Sequence, residues 1–108
     1  MKEWIAERKL TYTLKGDSNK NELTIRIGKP YLLEEGKVNF PIHEGAAGCS
    51  VEFDGLDDGY LDEVYGADSI QALQLAADVE PILKRYSEKY DFYFPTGEPY
   101  FEDEEENT

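Results

Sequence analysis

The sequence predicts an α+β fold: a four- to five-stranded, mostly antiparallel, meander-like sheet with one long or kinked C-terminal helix packed on one face. Three observations point to it. Apolar and polar residues alternate through much of the first half of the chain, the period of a half-buried strand. The segments between these runs are short, which suits antiparallel neighbours. Near residue 68 the alternation gives way to apolar spacings of three and four, the helical period. Such a sheet must bury one face, and this helix is the candidate to cover it.

The elements follow in order. In residues 4–14, Trp4, Ala6, Leu10, Tyr12 and Leu14 share one parity, and Arg8 interrupts that face. Residues 15–21 are dense in turn formers. Leu23, Ile25 and Ile27 then alternate with Glu22, Thr24 and Arg26, a clean strand that ends at Gly28-Lys29-Pro30. Tyr31-Leu32-Leu33 leads into a predicted hairpin turn at Glu34-Glu35-Gly36-Lys37. Val38, Phe40 and Ile42 share a parity, and Pro41, which lacks an amide donor, places that strand at an edge or at its end. Gly45-Ala46-Ala47-Gly48 reads as a flexible bulge or loop. Cys49, Val51 and Phe53 alternate with Ser50, Glu52 and Asp54, giving a strand with a polar, acidic outer face. Residues 55–66 read as a loop.

Asp68 or Ser69 caps the helix, because either side chain accepts from free first-turn amides. Ile70, Leu73, Ala76, Ala77 and Glu80 fall near one face, and Ala72, Leu75, Val79, Leu83 and Tyr86 widen it, so much of the helix is expected to be buried. Pro81 clashes with the carbonyl four residues back, which predicts a kink or a second helix starting there. Residues 91–95 form a last short strand, residues 96–99 a turn, and Tyr100 and Phe101 pin the end. Residues 1–101 thus make a single α+β domain, and residues 102–108 a disordered acidic tail.

Charge narrows the function. The 108 residues carry 24 acids and 11 bases, a formal charge of −13. Residues 38–83 hold 10 acids and no lysine or arginine. Nucleic acid is therefore not an expected partner, since phosphate contacts need a basic surface. No apolar run approaches the roughly 18–20 residues of a membrane span, and the charged N-terminus shows no signal peptide. A cytoplasmic protein without membrane contact is expected. The single cysteine, Cys49, can form neither an internal disulfide nor a cysteine-rich metal site.

Site chemistry is sparse. With Asp54 as the first position of a calcium loop, Leu56 falls at the third ligand and Tyr65 at the twelfth, both wrong for an EF-hand. Cys49 shares the inward parity of Val51 and Phe53 and lies in acidic surroundings that raise its pKa, so it reads as a core thiol and not a nucleophile. His43 has no second histidine with which to hold a metal. Catalytic residues, cofactor and metal are all expected to be absent, and the chain is not expected to be an enzyme. Eight tyrosines are more telling, because tyrosine buries area at low entropic cost and keeps a polar tip. Interleaved tyrosines and carboxylates mark a recognition surface for a basic partner, made of Asp54, Asp57, Asp58, Tyr60, Asp62, Glu63 and Tyr65.

The helix start Tyr65-Gly66-Ala67-Asp68-Ser69-Ile70-Gln71-Ala72-Leu73-Gln74-Leu75-Ala76, with the strand Ile5-Ala6-Glu7-Arg8, resembles a family of small, uncharacterised bacterial proteins. Pro81 departs from that pattern, where an unbroken helix would be expected. Size, acidity and the α+β pattern also resemble the toxin-immunity proteins of contact-dependent growth inhibition. The second resemblance implies an acidic protein-binding module that neutralises a basic, nuclease-type bacterial toxin, acting as a monomer or small homo-oligomer. Two other classes stay open: a bacterial housekeeping or regulatory protein acting as a small homo-oligomer, and a small carboxylate enzyme or divalent-ion-binding protein.

Overall fold

Antiparallel pairing organises the chain much as its alternation predicts. The computed structural model describes residues 3–34, 44–56 and 59–101. The elements are β1 (Trp4–Leu14), β2 (Asn21–Gly28), β3 (Tyr31–Leu32), β4 (Ala47–Asp54), β5 (Tyr60–Gly66), α1 (Ser69–Ala77), α2 (Glu80–Tyr86) and β6 (Tyr90–Tyr93). β1 pairs with β2, β2 with β4, and β4 with β5, all antiparallel. β3 also pairs with β4, at Ala47 and Gly48. Since β5 takes those same two residues from the other side, β3 must continue the line of β2 past Lys29-Pro30. The chain meanders from β1 to β5, crosses back through the helices, and adds β6 antiparallel to the far edge of β1.

The structure corrects three details. Residues 60–66, expected as a loop, are the edge strand β5. Ala47 and Gly48, expected as a flexible loop, already belong to β4. The helical arc is narrower than predicted: Ile70 and Leu75 are exposed, and the buried stripe is Ala72, Ala76, Val79 and Leu83. That stripe steps by four, three and four, one narrow face of a helix. The predicted turn at Glu34-Glu35-Gly36-Lys37 lies largely outside the described residues. The predicted strand with Val38, Phe40 and Ile42, His43, and the predicted tail 102–108 lie wholly outside them.

Helix termini obey the local chemistry. Asp68 is the N-cap of α1, and its carboxylate accepts from the Gln71 amide at 2.8 Å. The Gln71 side chain in turn accepts from the Ala67 amide, just ahead of the cap, at 2.6 Å, so one orphan donor is satisfied and the chain entering the helix is tied to its first turn. α1 ends at Ala77, the chain bends at Asp78-Val79, and α2 begins at Glu80 with Pro81 in its first turn. There the missing amide costs no hydrogen bond. Pro81 therefore starts the second helix, as its position predicts.

One hydrophobic cluster runs between sheet and helices. Leu10, Leu23, Ile25, Val51 and Phe53 supply it from the strands, and Ala72, Ala76, Val79 and Leu83 from the helical side. Fully burying a side chain of the Leu or Phe kind contributes about 2 kcal/mol. α1 rests on β4 and β5 and comes close because residue 66 is glycine. A Cβ on Gly66 would lie 2.6 Å from the Ala72 amide nitrogen.

Candidate functional site

Residues opposed in an antiparallel ladder share a face. Val51 opposes Asp62 and Phe53 opposes Tyr60, so Tyr60 and Asp62 lie on the helix side. Ser50 opposes Glu63 and Gly48 opposes Tyr65, so Glu63 and Tyr65 lie on the open face. Asp54 opposes Thr24 on that same open face. The predicted recognition set is thus split by the pleat of β5. Asp54, Glu63 and Tyr65 share the open face, while Tyr60 and Asp62 lie behind it. Asp57 and Asp58 lie outside the described residues.

Three small networks surround these residues. On the open face, Arg26 of β2 donates through Nη1 to Glu52 Oε1 at 2.9 Å and to Asp54 Oδ2 at 3.0 Å. Its Nε is 3.8 Å from Glu7 Oε2. The Asp54 hydrogen bond, then that to Glu52, holds the guanidinium charged still more firmly than usual. Asp54, singled out for a partner, is therefore occupied by the molecule's own arginine.

The second network centres on Glu63. Tyr31 donates its hydroxyl to Glu63 Oε1 at 2.5 Å, and Ser50 donates to Oε2 at 2.7 Å. The Tyr31 ring crosses above Gly48, where a Cβ would lie 2.7 Å from ring atoms. Glycine at position 48 is what lets the phenol lie flat on the sheet. Burial, then the bond to Glu63, pushes the Tyr31 hydroxyl well above the ordinary phenol range. Third, Asp62 accepts from the Tyr60 hydroxyl at 3.1 Å and from the Glu63 amide at 2.9 Å. The Tyr60 ring stands edge-on to Phe53, with centroids 5.5 Å apart. Burial, then Asp62, raises its pKa too.

Cys49 is fully buried, and its thiol lies 3.1 Å from the Gly28 carbonyl oxygen. Burial, then the Glu63 charge, pushes the thiol up, away from the thiolate a nucleophile needs. Among the described residues, no group of three or more His, Cys, Asp or Glu side chains gathers to hold a metal ion. No helix among them is long and apolar enough to cross a membrane. What the surface can do chemically is present carboxylates and phenols to a cation. Tyr31, Ser50, Arg26 and Glu52 escaped the sequence reading. The signal for two of them was present, because Arg26 and Glu52 occupy outward positions of strands expected to be antiparallel.

No curated protein and no solved structure matches the chain. The domain of unknown function DUF6968 matches residues 6–85, from β1 into α2. The match covers well over half of the chain, which therefore belongs to the DUF6968 family.

Proposed function

We propose that this chain is a protein-binding module that captures a basic protein, in the manner of an immunity protein neutralising a nuclease-type toxin. The carrying observation is the base-free stretch of residues 38–83, which supplies β4, β5 and α1. A nuclease must be basic to hold phosphates, and a partner of opposite charge is steered to it at rates raised by orders of magnitude at low salt. The exposed side chains of Leu61, Tyr65 and Tyr31 around Glu63 add the apolar and aromatic contacts from which binding hot spots are built.

The test begins with co-purification from native cells at low salt and continues with the purified pair. Replacing Asp57, Asp58 and Asp62 by lysine is expected to slow association about tenfold or more while leaving the circular dichroism unchanged. The partner's nuclease activity should fall on binding. An affinity untouched by the reversal, with flat salt dependence, overturns the reading.

A homo-oligomer paired through β5 is the second reading, favoured by the edge position of that strand among the described residues. It ranks lower for a physical reason. Antiparallel self-pairing centred on Asp62 or on Glu63 would set that carboxylate against its own copy, and opposed like charges destabilise a ladder.

A further inference from the structure

Arg8 occupies a position in β1 where the alternation calls for an apolar side chain. It opposes Ile25 of β2, so it leaves the sheet on the helix-covered side. The helical layer does not reach it. α1 rests mainly on β4 and β5, the chain bends at Asp78-Val79, and residues 5–9 of β1 stay exposed. Between that half of β1 and the bend runs a groove of about 160 Å³. It is lined by Ile25, Ile27, Ala6, Ala77 and Val79, with Arg8 and Glu7 beside them; Glu7 opposes Arg26 in the ladder, so its side chain turns to the other face of the sheet.

The guanidinium is held in place. Nη1 donates to the Tyr100 hydroxyl at 2.7 Å, that hydroxyl donates to Glu80, and the cation lies 5.8 Å from the Tyr100 ring centroid. Among the described residues no carboxylate forms an ion pair with Arg8, whereas Arg26 engages Glu7, Glu52 and Asp54. Among the described residues the guanidinium is thus fixed beside an apolar trough by a hydroxyl, with the Glu80 carboxylate one hydrogen bond further on and no carboxylate paired to it directly. That pairing of features matches one chemistry. The guanidinium fork accepts a carboxylate by two parallel hydrogen bonds, and the trough accepts an aliphatic tail. A volume of about 160 Å³ is close to that of an apolar cavity of about 150 Å³ that takes up benzene, room for a short aliphatic tail.

We propose that this groove binds a short aliphatic monocarboxylate, with its carboxylate on Arg8 and its tail on Ile25, Ile27 and Val79. The site uses none of the β5 residues and stands apart from the basic-partner reading.

The experiment is a titration of the full chain with 4-methylpentanoate, followed by methyl NMR, beside 4-methylpentanamide and acetate. Saturable shifts are expected at the methyls of Ala6, Ile25, Ile27, Ala77 and Val79. The amide and acetate should each bind about tenfold more weakly, the first lacking charge and the second a tail. Arg8→Gln should weaken the acid about tenfold and leave the amide unchanged. Shifts that are absent or lie elsewhere overturn the proposal, as does equal binding of acid and amide. The amide comparison uses the unaltered protein, so a poorly folded variant does not decide the outcome.

Discussion

Glu52 and Asp54 on β4 and Asp62 and Glu63 on β5 come from one base-free stretch of sequence, yet they meet different partners. The β4 pair is bound by the Arg26 guanidinium from β2. The β5 pair is held by hydroxyls, from Tyr60 on one side of the strand and from Tyr31 and Ser50 on the other. Strand order makes the difference. β4 lies between β5 and β2, and β2 carries an outward arginine at the right register. β5 lies at the edge with only β4 beside it among the described residues, and β4 holds no base. A carboxylate bound by a guanidinium has its charge offset within the molecule. A hydroxyl orients a carboxylate but brings no formal charge of its own to offset it.

The comparison breaks most completely if β5 loses its place. Gly66→Val would put side-chain atoms where the Ala72 backbone lies, forcing α1 off the strand. The expected cost is about 3 kcal/mol, read as a lower urea midpoint. An unchanged midpoint would mean that α1 does not hold β5.

Arg26→Gln makes the two regions alike by stripping the cation from Glu52 and Asp54. The expected loss of stability is smaller, and it shrinks as salt is added, because screening weakens the repulsion left among exposed carboxylates. The loss in Gly66→Val is steric and should not respond to salt. A loss in Arg26→Gln that ignores salt would show that packing, not charge, is the arginine's contribution.

The smallest effect is alkaline. Tyr31 and Tyr60 are both raised above the ordinary phenol value of 10.0 by burial first and by their carboxylates second. The folded protein thus favours the protonated phenol. That stability is full below pH 10.0, the value for an unperturbed phenol, and drains away as pH climbs through the folded values. Phenolate absorbance should show a class of tyrosines titrating late, and Glu63→Gln should bring Tyr31 part of the way back. A Tyr31 signal unmoved by Glu63→Gln would show that burial, and not the carboxylate, sets the shift.

Much of the fold was legible because its signals are local. Leu23, Ile25 and Ile27 bury one face of β2 as their parity predicts, Asp68 caps α1, and Pro81 opens α2. β5 was illegible for an equally local reason. Its helix-side positions Tyr60, Asp62 and Val64 and its open-face positions Leu61, Glu63 and Tyr65 each mix polar with apolar residues, so neither face shows a period. The same pleat divided the expected recognition set, since neighbours such as Asp62 and Glu63 must point to opposite sides of a strand. Arg8 is the converse case. Its break in parity was visible, but its meaning depended on where the helix bends.

The sequence by itself determined the alternating strands, the capped and proline-divided helix, and a long stretch devoid of cations, because propensity, capping and net charge depend on residues close along the chain. Only the tertiary structure decided which carboxylate meets an arginine and which meets a hydroxyl. Those contacts join residues as distant as Arg26 and Asp54, or Tyr31 and Glu63. They follow from strand order and register, which are settled by how the whole sheet buries its apolar face.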